Sequence, residues 1–487
     1  MVEETKSFLE QHPDYEAVIG IEVHIQLKTN SKIFCGCKNE FGNPPNSNIC
    51  PICCGHPGVL PTLNKKVVDS AIMAGLATNC TITQNTDFAR KHYMYPDLPK
   101  NYQITQDQRP ICKNGYIPLE LADGSEKRIR LVRIHMEEDA GKNLHTNLNY
   151  SLVDLNRVGT PLLEIVSFPD ISSPQEARLY LNRLRTIIQY LDISDANMEE
   201  GSFRADINIS LKKKTASELG TKVELKNINS FKFVAHAIEF ELHRQYEVLS
   251  SGKKVTQETR QWDNKNQQTI AMRSKEEAQD YRYFVEPDLP CIEIDEMWID
   301  RLRKQIPELP HEKYTRFQKK YNLLSYEADN LIENISIANF FENCVAHYDN
   351  PKLICNWILR DVLGYLKEQK ITVEKSNISA QNLAELIKEL DAGKINSKIA
   401  QEVFLEMAQT GKKPSAIIEE KGLTQIEDAN VLEAIIIKIL QANQDAVTKY
   451  KAGNTKLFMF FVGQAMKETQ GKANPKLLQE LIEKHLK

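Results

Sequence analysis

Apolar and polar residues alternate one by one through VIGIEVHIQL, residues 18–27. Successive residues of an extended chain point to opposite faces, so Ile21, Val23, Ile25 and Leu27 share one face and Glu22, His24 and Gln26 the other. The pattern predicts a strand with one buried side. The same period of two returns at 129–136, 162–168, 203–211 and 221–226. In the fourth run Phe203, Ala205, Ile207, Ile209 and Leu211 oppose Arg204, Asp206, Asn208 and Ser210; in the last, Val223 and Leu225 oppose Lys222, Glu224 and Lys226. GTPLLEIVSFPD sets Glu164 inside an apolar run bounded by Pro161 and Pro169, and RIHMEEDAGKN ends a strand in Glu137, Glu138 and Asp139.

A helix is signalled by SSPQEARLYLNRLRTIIQYL, with Ser173 as N-cap, Pro174 at the first helical position and Glu176 completing a capping box. A second covers 230–250 and stops before Gly252. Past about residue 300 the strands fade and helical segments follow one another, several closed by a glycine and with no repeat of fixed period. The expected organisation is α+β: a mixed body over 1–300, a helical domain over 301–420 and a small helical tail over 421–487.

Length agrees with several domains, since 487 residues exceed what one core holds. With 41% hydrophobic and 26% charged residues the composition is that of a globular protein, and no apolar run approaches the roughly 20 residues a membrane helix needs. The start, MVEETKSFLEQHPDYEAV, has neither a secretory signal core nor an Arg-rich transit pattern, so a cytoplasmic location is expected. Lys and Arg number 62 against 66 Asp and Glu, so nucleic acid must be met by local patches and not by the overall field.

The polar strand faces carry the candidate chemistry. Carboxylates with one imidazole suit Mg²⁺ or Mn²⁺, and Mg²⁺ so held takes further ligands from the phosphates of a nucleotide. Phosphoryl transfer needs that arrangement, with Arg or Lys spreading charge. Separate solvated faces and ion pairs fit the same pattern. No GxxxxGK[ST] occurs (DAGKN at 139–143 lacks its first glycine), nor GxGxxG after a strand, HExxH or a nucleophile elbow.

CGCKNEFGNPPNSNICPICCG places Cys35 and Cys37, then Cys50 and Cys53, as C-x-C and C-x-x-C across a Pro/Asn/Gly loop. Two thiolate pairs so spaced fit a closed tetrahedral Zn²⁺ site; reduced, metal-free thiols are the alternative. ARKHYMYPDLPKNYQITQ (89–106) and QDYRYFVEPDLP (279–290) interleave bases and aromatics, which suits either nucleobase stacking or loops with buried tyrosines. From Lys449 onward eight lysines face three glutamates, a helical surface that suits RNA phosphates or plain solvent.

Taken together, VIGIEVHIQL, PGVLPTLNKKVVD, RKHYMYPDLPKNYQITQ, HMEEDAGK, DLNRVGTPLLEIVS, MEEGSFRADINISL, TKVELKNINSF and DYRYFVEPDLP resemble the GatB family, the B subunits of glutamyl/aspartyl-tRNA amidotransferases, and GNTKLFMFFVGQAMKETQGKANP resembles that family's C-terminal helical domain. The resemblance covers nearly the whole chain. It implies a glutamine-synthetase-like cradle with an antiparallel sheet, followed by a helical domain and a tRNA-binding tail. It implies a heterotrimer with two partners, the amidase (GatA), which releases ammonia from glutamine, and the small GatC protein; it implies no DNA and no membrane. It further implies that the GatB chain uses ATP and Mg²⁺ to phosphorylate the side-chain carboxylate of Glu or Asp mischarged on tRNA(Gln) or tRNA(Asn), which ammonia then amidates. The metal residues of the family fall on Glu22, His24, Glu138 and Glu164, with Arg204 and Asp206 in the same pocket; Zn²⁺ on the cysteines is a brace that only some members carry. Two other functions fit the residues: a self-sufficient small-molecule ligase or kinase on the same fold, and a non-catalytic tRNA-binding scaffold.

Overall fold

The computed structural model describes residues 6–121, 123–145, 149–272, 280–423, 429–469, 473 and 475–486. The opening residues MVEET and part of the expected junction just past residue 421 therefore lie outside the described residues. The chain divides into two compact units, Met1–Glu312 and Lys313–Lys487.

The first unit is built on a nine-stranded sheet. Numbered in chain order, its strands are β1 (Tyr15–Gln26), β2 (Thr81–Ile82), β3 (Cys112–Glu120), β4 (Glu126–Glu138), β5 (Pro161–Ser167), β6 (Phe203–Lys213), β7 (Val223–Ile228), β8 (Thr259–Asp263) and β9 (Gln268–Ala271). They lie in the order β9-β8-β7-β6-β1-β5-β4-β3-β2. Every neighbouring pair is antiparallel except β7 and β8. All five strands expected from the alternation are present, with ends shifted by a few residues.

The alternation fixes which face is buried. Ile19, Ile21, Val23 and Ile25 of β1 are fully buried with Leu163 and Ile165 of β5 and Ile207 and Ile209 of β6. Helices Lys65–Ala77, Pro174–Tyr190 and Phe231–Ser250 bring Ile72, Leu184 and Ile238 into this same core. Each such side chain contributes ~1.5–3 kcal/mol of burial, and a one-residue slip of register would forfeit the whole set. The polar residues are thereby held on the opposite face.

Capping follows the sequence with one change. The Ser173 hydroxyl accepts from the Glu176 N–H at 3.1 Å, as expected. The Glu176 carboxylate reaches one residue further back than a capping box requires, accepting from the Ser172 N–H at 2.9 Å and from Lys127 Nζ at 2.7 Å. Helix Phe231–Ser250 is capped by Ser230 and ends before Gly252, whose φ of 78° only glycine adopts freely.

The second unit is helical and has two apolar clusters. One gathers residues from Tyr314 to Leu423, the other from Leu432 to Leu486. PKLICNWILRDVLGYLKEQ is one continuous rod interrupted by a π-helical stretch, Ile358–Val362, between Pro351–Trp357 and Leu363–Gln369. Among the described residues no helix is long and apolar enough to cross a membrane.

Candidate active site

Cross-strand register assembles the site. His24 on β1 stands opposite Arg204 of β6 on one side and Glu164 of β5 on the other, and Glu164 stands opposite His135 of β4. One step along, Glu22 stands between Asp206 and Val166; one step the other way, Leu162 lies between Gln26 and Glu137. Directly opposed residues of antiparallel strands have Cβ atoms ~5 Å apart, so these rows bring their polar ends together.

They converge on one point. His24 Nε2 lies 3.3 Å from Glu164 Oε2, 3.5 Å from Glu137 Oε1 and 3.6 Å from Glu22 Oε1. His135 Nε2 lies 3.4 Å from Glu164 Oε2 and 3.7 Å from Glu137 Oε2. Glu22, His24 and Glu164 each offer a ligand atom to one metal-sized group, and His135, Glu137 and Glu164 to a second that shares Glu164.

Three of the four residues that the resemblance placed at a metal thus meet, and the fourth does not. Glu138 ends β4 with its side chain opposite in sense to His135 and Glu137. It is buried, where its carboxylate accepts from the Ile104 N–H at 2.9 Å and pairs with Lys100. Glu137 occupies the place expected for Glu138, and His135 adds a second imidazole. The period of two in RIHMEE carried the signal: His135 and Glu137 share a face and Met136 and Glu138 share the other.

Arg204 and Asp206 flank the cluster. Arg204 Nη2 donates to Asp139 Oδ2 at 3.0 Å, an oxygen that also accepts from Gln26 Nε2 at 2.9 Å. Lys226 Nζ donates to Asp206 Oδ2 at 2.6 Å. Asp139, the last of the three acids that close RIHMEED, is a buried part of the site and lies just past the end of β4.

The electrostatics are those of crowded acids. Burial, then the charge of Glu164, pushes the Glu22 carboxyl above its usual range. Burial would raise Glu164 too, but His135 and His24 outweigh it and hold it at about 2. Burial would lower His24, yet contact with Glu164 and the charges of Glu137 and Glu22 lift it to about 9. Three carboxylates around two imidazoles form a donor set that fits a hard divalent cation.

The two base-and-aromatic segments meet. Ala89–His92, Tyr102–Thr105 and Phe284–Val285 form a three-stranded sheet. Beside it Glu286 receives Arg90 through Nε at 2.7 Å and Nη2 at 2.8 Å, and the Arg90 guanidinium lies 4.3 Å from the centre of the Tyr102 ring. Lys91 is close enough to Glu164 to help lower its pKa.

The cysteines form a separate centre. Cys35, Cys37, Cys50 and Cys53 place their sulfurs within 4.8 Å of one another. A tetrahedron of Zn–S bonds of ~2.3 Å spans sulfurs ~3.8 Å apart, so the set fits a structural metal. Cys53 is held at about 4, chiefly by a hydrogen bond from Cys35, helped by the Cys50 N–H at 3.1 Å and the buried Lys32. Its partner Cys35 is pushed up correspondingly. Cys54 and His56, which follow in the sequence, fall outside the four.

Residues 17–300 match the GatB/GatE catalytic domain and residues 339–486 the GatB domain. The chain is 52% identical over 473 residues, 96% of its length and 98% of the relative's, to the B subunit of the aspartyl/glutamyl-tRNA(Asn/Gln) amidotransferase of Carboxydothermus hydrogenoformans. It is 52% identical over 475 residues, 97% of its length and 100% of the relative's, to the protein of the same name in Persephonella marina. Agreement of this extent, running through both units and the strands that carry the acidic cluster, means that the chain belongs to the GatB family of amidotransferase B subunits.

Proposed function

We propose that this chain is the kinase and amide-forming member of a tRNA-dependent amidotransferase. It acts with the amidase GatA and the small protein GatC on Glu-tRNA(Gln), Asp-tRNA(Asn) or both. The observation that carries the reading is the acidic cluster on the polar face of the central sheet, inside the segment that matches a catalytic domain. The relatives' names supply the substrate class.

The chemistry needs no nucleophile from the protein. An oxygen of the substrate's side-chain carboxylate attacks the γ-phosphorus of ATP; the new O–P bond forms as the bond to the ADP oxygen breaks. Ammonia from the amidase partner then attacks the acyl carbon. A C–N bond forms, phosphate departs with the C–O electron pair, and a proton is released. Glu22, His24, Glu137 and Glu164 are the residues that would hold Mg²⁺, and the bound ion would neutralise charge on the phosphates. Arg204 stays anchored by Asp139 and presents a fixed cation beside His24. Lys226, bonded to Asp206, does the same beside Glu22. Glu138, engaged with Lys100 and Ile104, stands outside this set.

The four cysteines would hold Zn²⁺ as a brace on the loop between β1 and helix Lys65–Ala77, away from the chemistry because four thiolates leave no open position. The helices from Ala429 onward would grip tRNA.

The test is ATP cleavage by the purified heterotrimer. Cleavage that requires misacylated tRNA and yields amidated tRNA supports this reading. Cleavage driven by a free amino acid would favour the self-sufficient ligase, and tRNA binding without ATP cleavage the scaffold.

A further inference from the structure

β1 ends at Gln26, and there a groove of about 730 Å³ opens. Gln26, Phe41, Lys142, Arg157, Glu199 and Glu200 are among the residues that line it. Gln26 joins the groove to the acidic cluster. It follows His24 by two residues on the same strand face, ~7 Å along the strand. Its Nε2 donates to Asp139 Oδ2 at 2.9 Å, the oxygen that also anchors Arg204.

Phe41 is the unusual member of the lining. Its side chain is 87% exposed, and among the described residues no large apolar side chain is more so. The loop that carries it is nevertheless fastened on both sides. Before it, Asn39 Nδ2 donates to Leu27 O, just past β1, at 2.7 Å. After it, Asn46 Nδ2 donates to Val153 O at 2.9 Å, and the Leu155 N–H donates to Asn46 Oδ1 at 2.8 Å. The Asn48 N–H donates to Asn156 Oδ1 at 2.9 Å, and Asn156 Nδ2 to Pro44 O at 2.7 Å. Gly42, at a φ of 87° that glycine adopts freely, turns the chain directly after Phe41. The two cysteine pairs close the base of the same loop. A ring on a loop already ordered in this way has little freedom left to lose when a partner covers it.

The rest of the lining says what that partner is. Stacking on an aromatic ring needs a planar π-face, which every unpaired nucleobase has. Glu199 and Glu200 are exposed on the groove. Carboxylates in such a place oppose a closely tracking duplex backbone, but they accept hydrogen bonds from exocyclic amino groups, N4 of cytosine and N6 of adenine. The unpaired C, C and A that end every tRNA each carry one such group. Lys142 and Arg157 supply cations for the phosphates between them. Arg157 is held for this by donating through Nε to Ala140 O at 2.9 Å and through Nη2 to Gly141 O at 2.7 Å.

We propose that this groove receives the single-stranded 3′ end of the substrate tRNA and that Phe41 stacks on one of its bases, so that the attached amino acid reaches the acidic cluster past Gln26. The inference rests on the tRNA-dependent function proposed above. It adds which surface holds the aminoacyl end and what the loop between the cysteine pairs presents to it.

The experiment uses the intact heterotrimer with two RNAs, uncharged tRNA and the same tRNA lacking its last three nucleotides. Wild type should bind the intact RNA roughly ten-fold more tightly than the shortened one. Phe41→Ala should remove that difference, weakening the intact RNA roughly ten-fold and leaving the shortened one unchanged. Its KM for misacylated tRNA should rise by a similar factor, with the KM for ATP unchanged. Phe41→Trp, which keeps a π-face, should retain wild-type values. Equal weakening of both RNAs by Phe41→Ala, or intact-tRNA affinity and KM within about two-fold of wild type, overturns the subsite and leaves the function standing. So does wild-type binding that ignores the missing nucleotides. Failure of the Phe41→Ala complex to assemble, read by size-exclusion chromatography, would assign Phe41 to a protein interface and also overturn it. A wild-type complex that binds neither RNA overturns the function as well.

Discussion

His24 and Glu164 face each other across β1 and β5, with His24 Nε2 3.3 Å from Glu164 Oε2. The pair joins two carboxylate groups, since Glu164 also meets His135 at 3.4 Å and His24 also meets Glu22 and Glu137. Removing the Glu164 charge at constant shape therefore probes the whole centre. In Glu164→Gln and in His24→Ala, tRNA-stimulated ATP cleavage should fall by a factor of ~10² or more across a Mg²⁺ titration, because metal neutralisation of the phosphates is lost. Unfolding temperature and tRNA affinity should stay near wild type, since the apolar face carries the fold. Turnover near wild type in both variants would remove the cluster from the chemistry.

The strands were legible because burial of one face imposes a period of two on the residues themselves. Glu22, His24 and Glu164 could be read from that period together with the family resemblance. Glu138 lies apart from His24 and Glu164, against Ile104 and Lys100, because adjacent acids of a strand point to opposite faces, a distinction that likeness to EED as a string does not make. His135 and Glu137 were written in the same period, as the partners of Glu164 and Leu162. What periodicity cannot show is which strands neighbour one another: β1 lies between β5 and β6, far from it in sequence. The contacts of Asp139 with Arg204 and Gln26 become visible only once that order is known. The outward reach of Glu176 to Ser172 reflects competition from Lys127 on the neighbouring β4, a tertiary contact no local rule contains.

The cysteine centre predicts metal content. Purified protein should contain about one zinc per chain. Cys50→Ala should abolish it and lower the unfolding temperature, whereas Cys291→Ala, an exposed thiol elsewhere, should change neither. A metal-free protein with all four thiols freely titratable in the folded state would refute the zinc brace.

The helical unit predicts an acid-dependent contribution. Arg316 Nη1 lies 2.5 Å from Glu342 Oε1 and Lys313 Nζ 3.2 Å from Oε2. Burial would raise Glu342, but these bonds hold it at about 2, below its ordinary value of 4.5. A depressed folded pKa means stability that is complete above the unfolded value and is lost as pH falls from there toward 2. Glu342→Gln should destabilise by about 1 kcal/mol at neutral pH, allowing for solvent screening of a partly exposed pair. Thermal unfolding at about pH 7 and about pH 3 should show the difference shrinking at the lower pH; an equal difference at both would assign the effect to packing.

The tail predicts a separation of binding from chemistry. Leu432, Ile436, Phe461, Leu478 and Ile482 form a core of their own, distinct from the cluster that ends at Leu423. Truncation after residue 423 should therefore leave the preceding helices folded. Lys449, Lys451, Lys456 and Lys467 are exposed and, among the described residues, hold no ion pair, so they remain available to phosphates. Every phosphate the protein no longer neutralises takes close to one unit from the slope of log affinity against log salt. The truncated complex should bind tRNA at least about ten-fold more weakly, show a shallower salt dependence and have a higher KM for misacylated tRNA. Glutaminase activity of the amidase partner, measured without tRNA, should be unchanged. Equal tRNA affinity and equal salt slope before and after truncation would show that the lysines face only solvent.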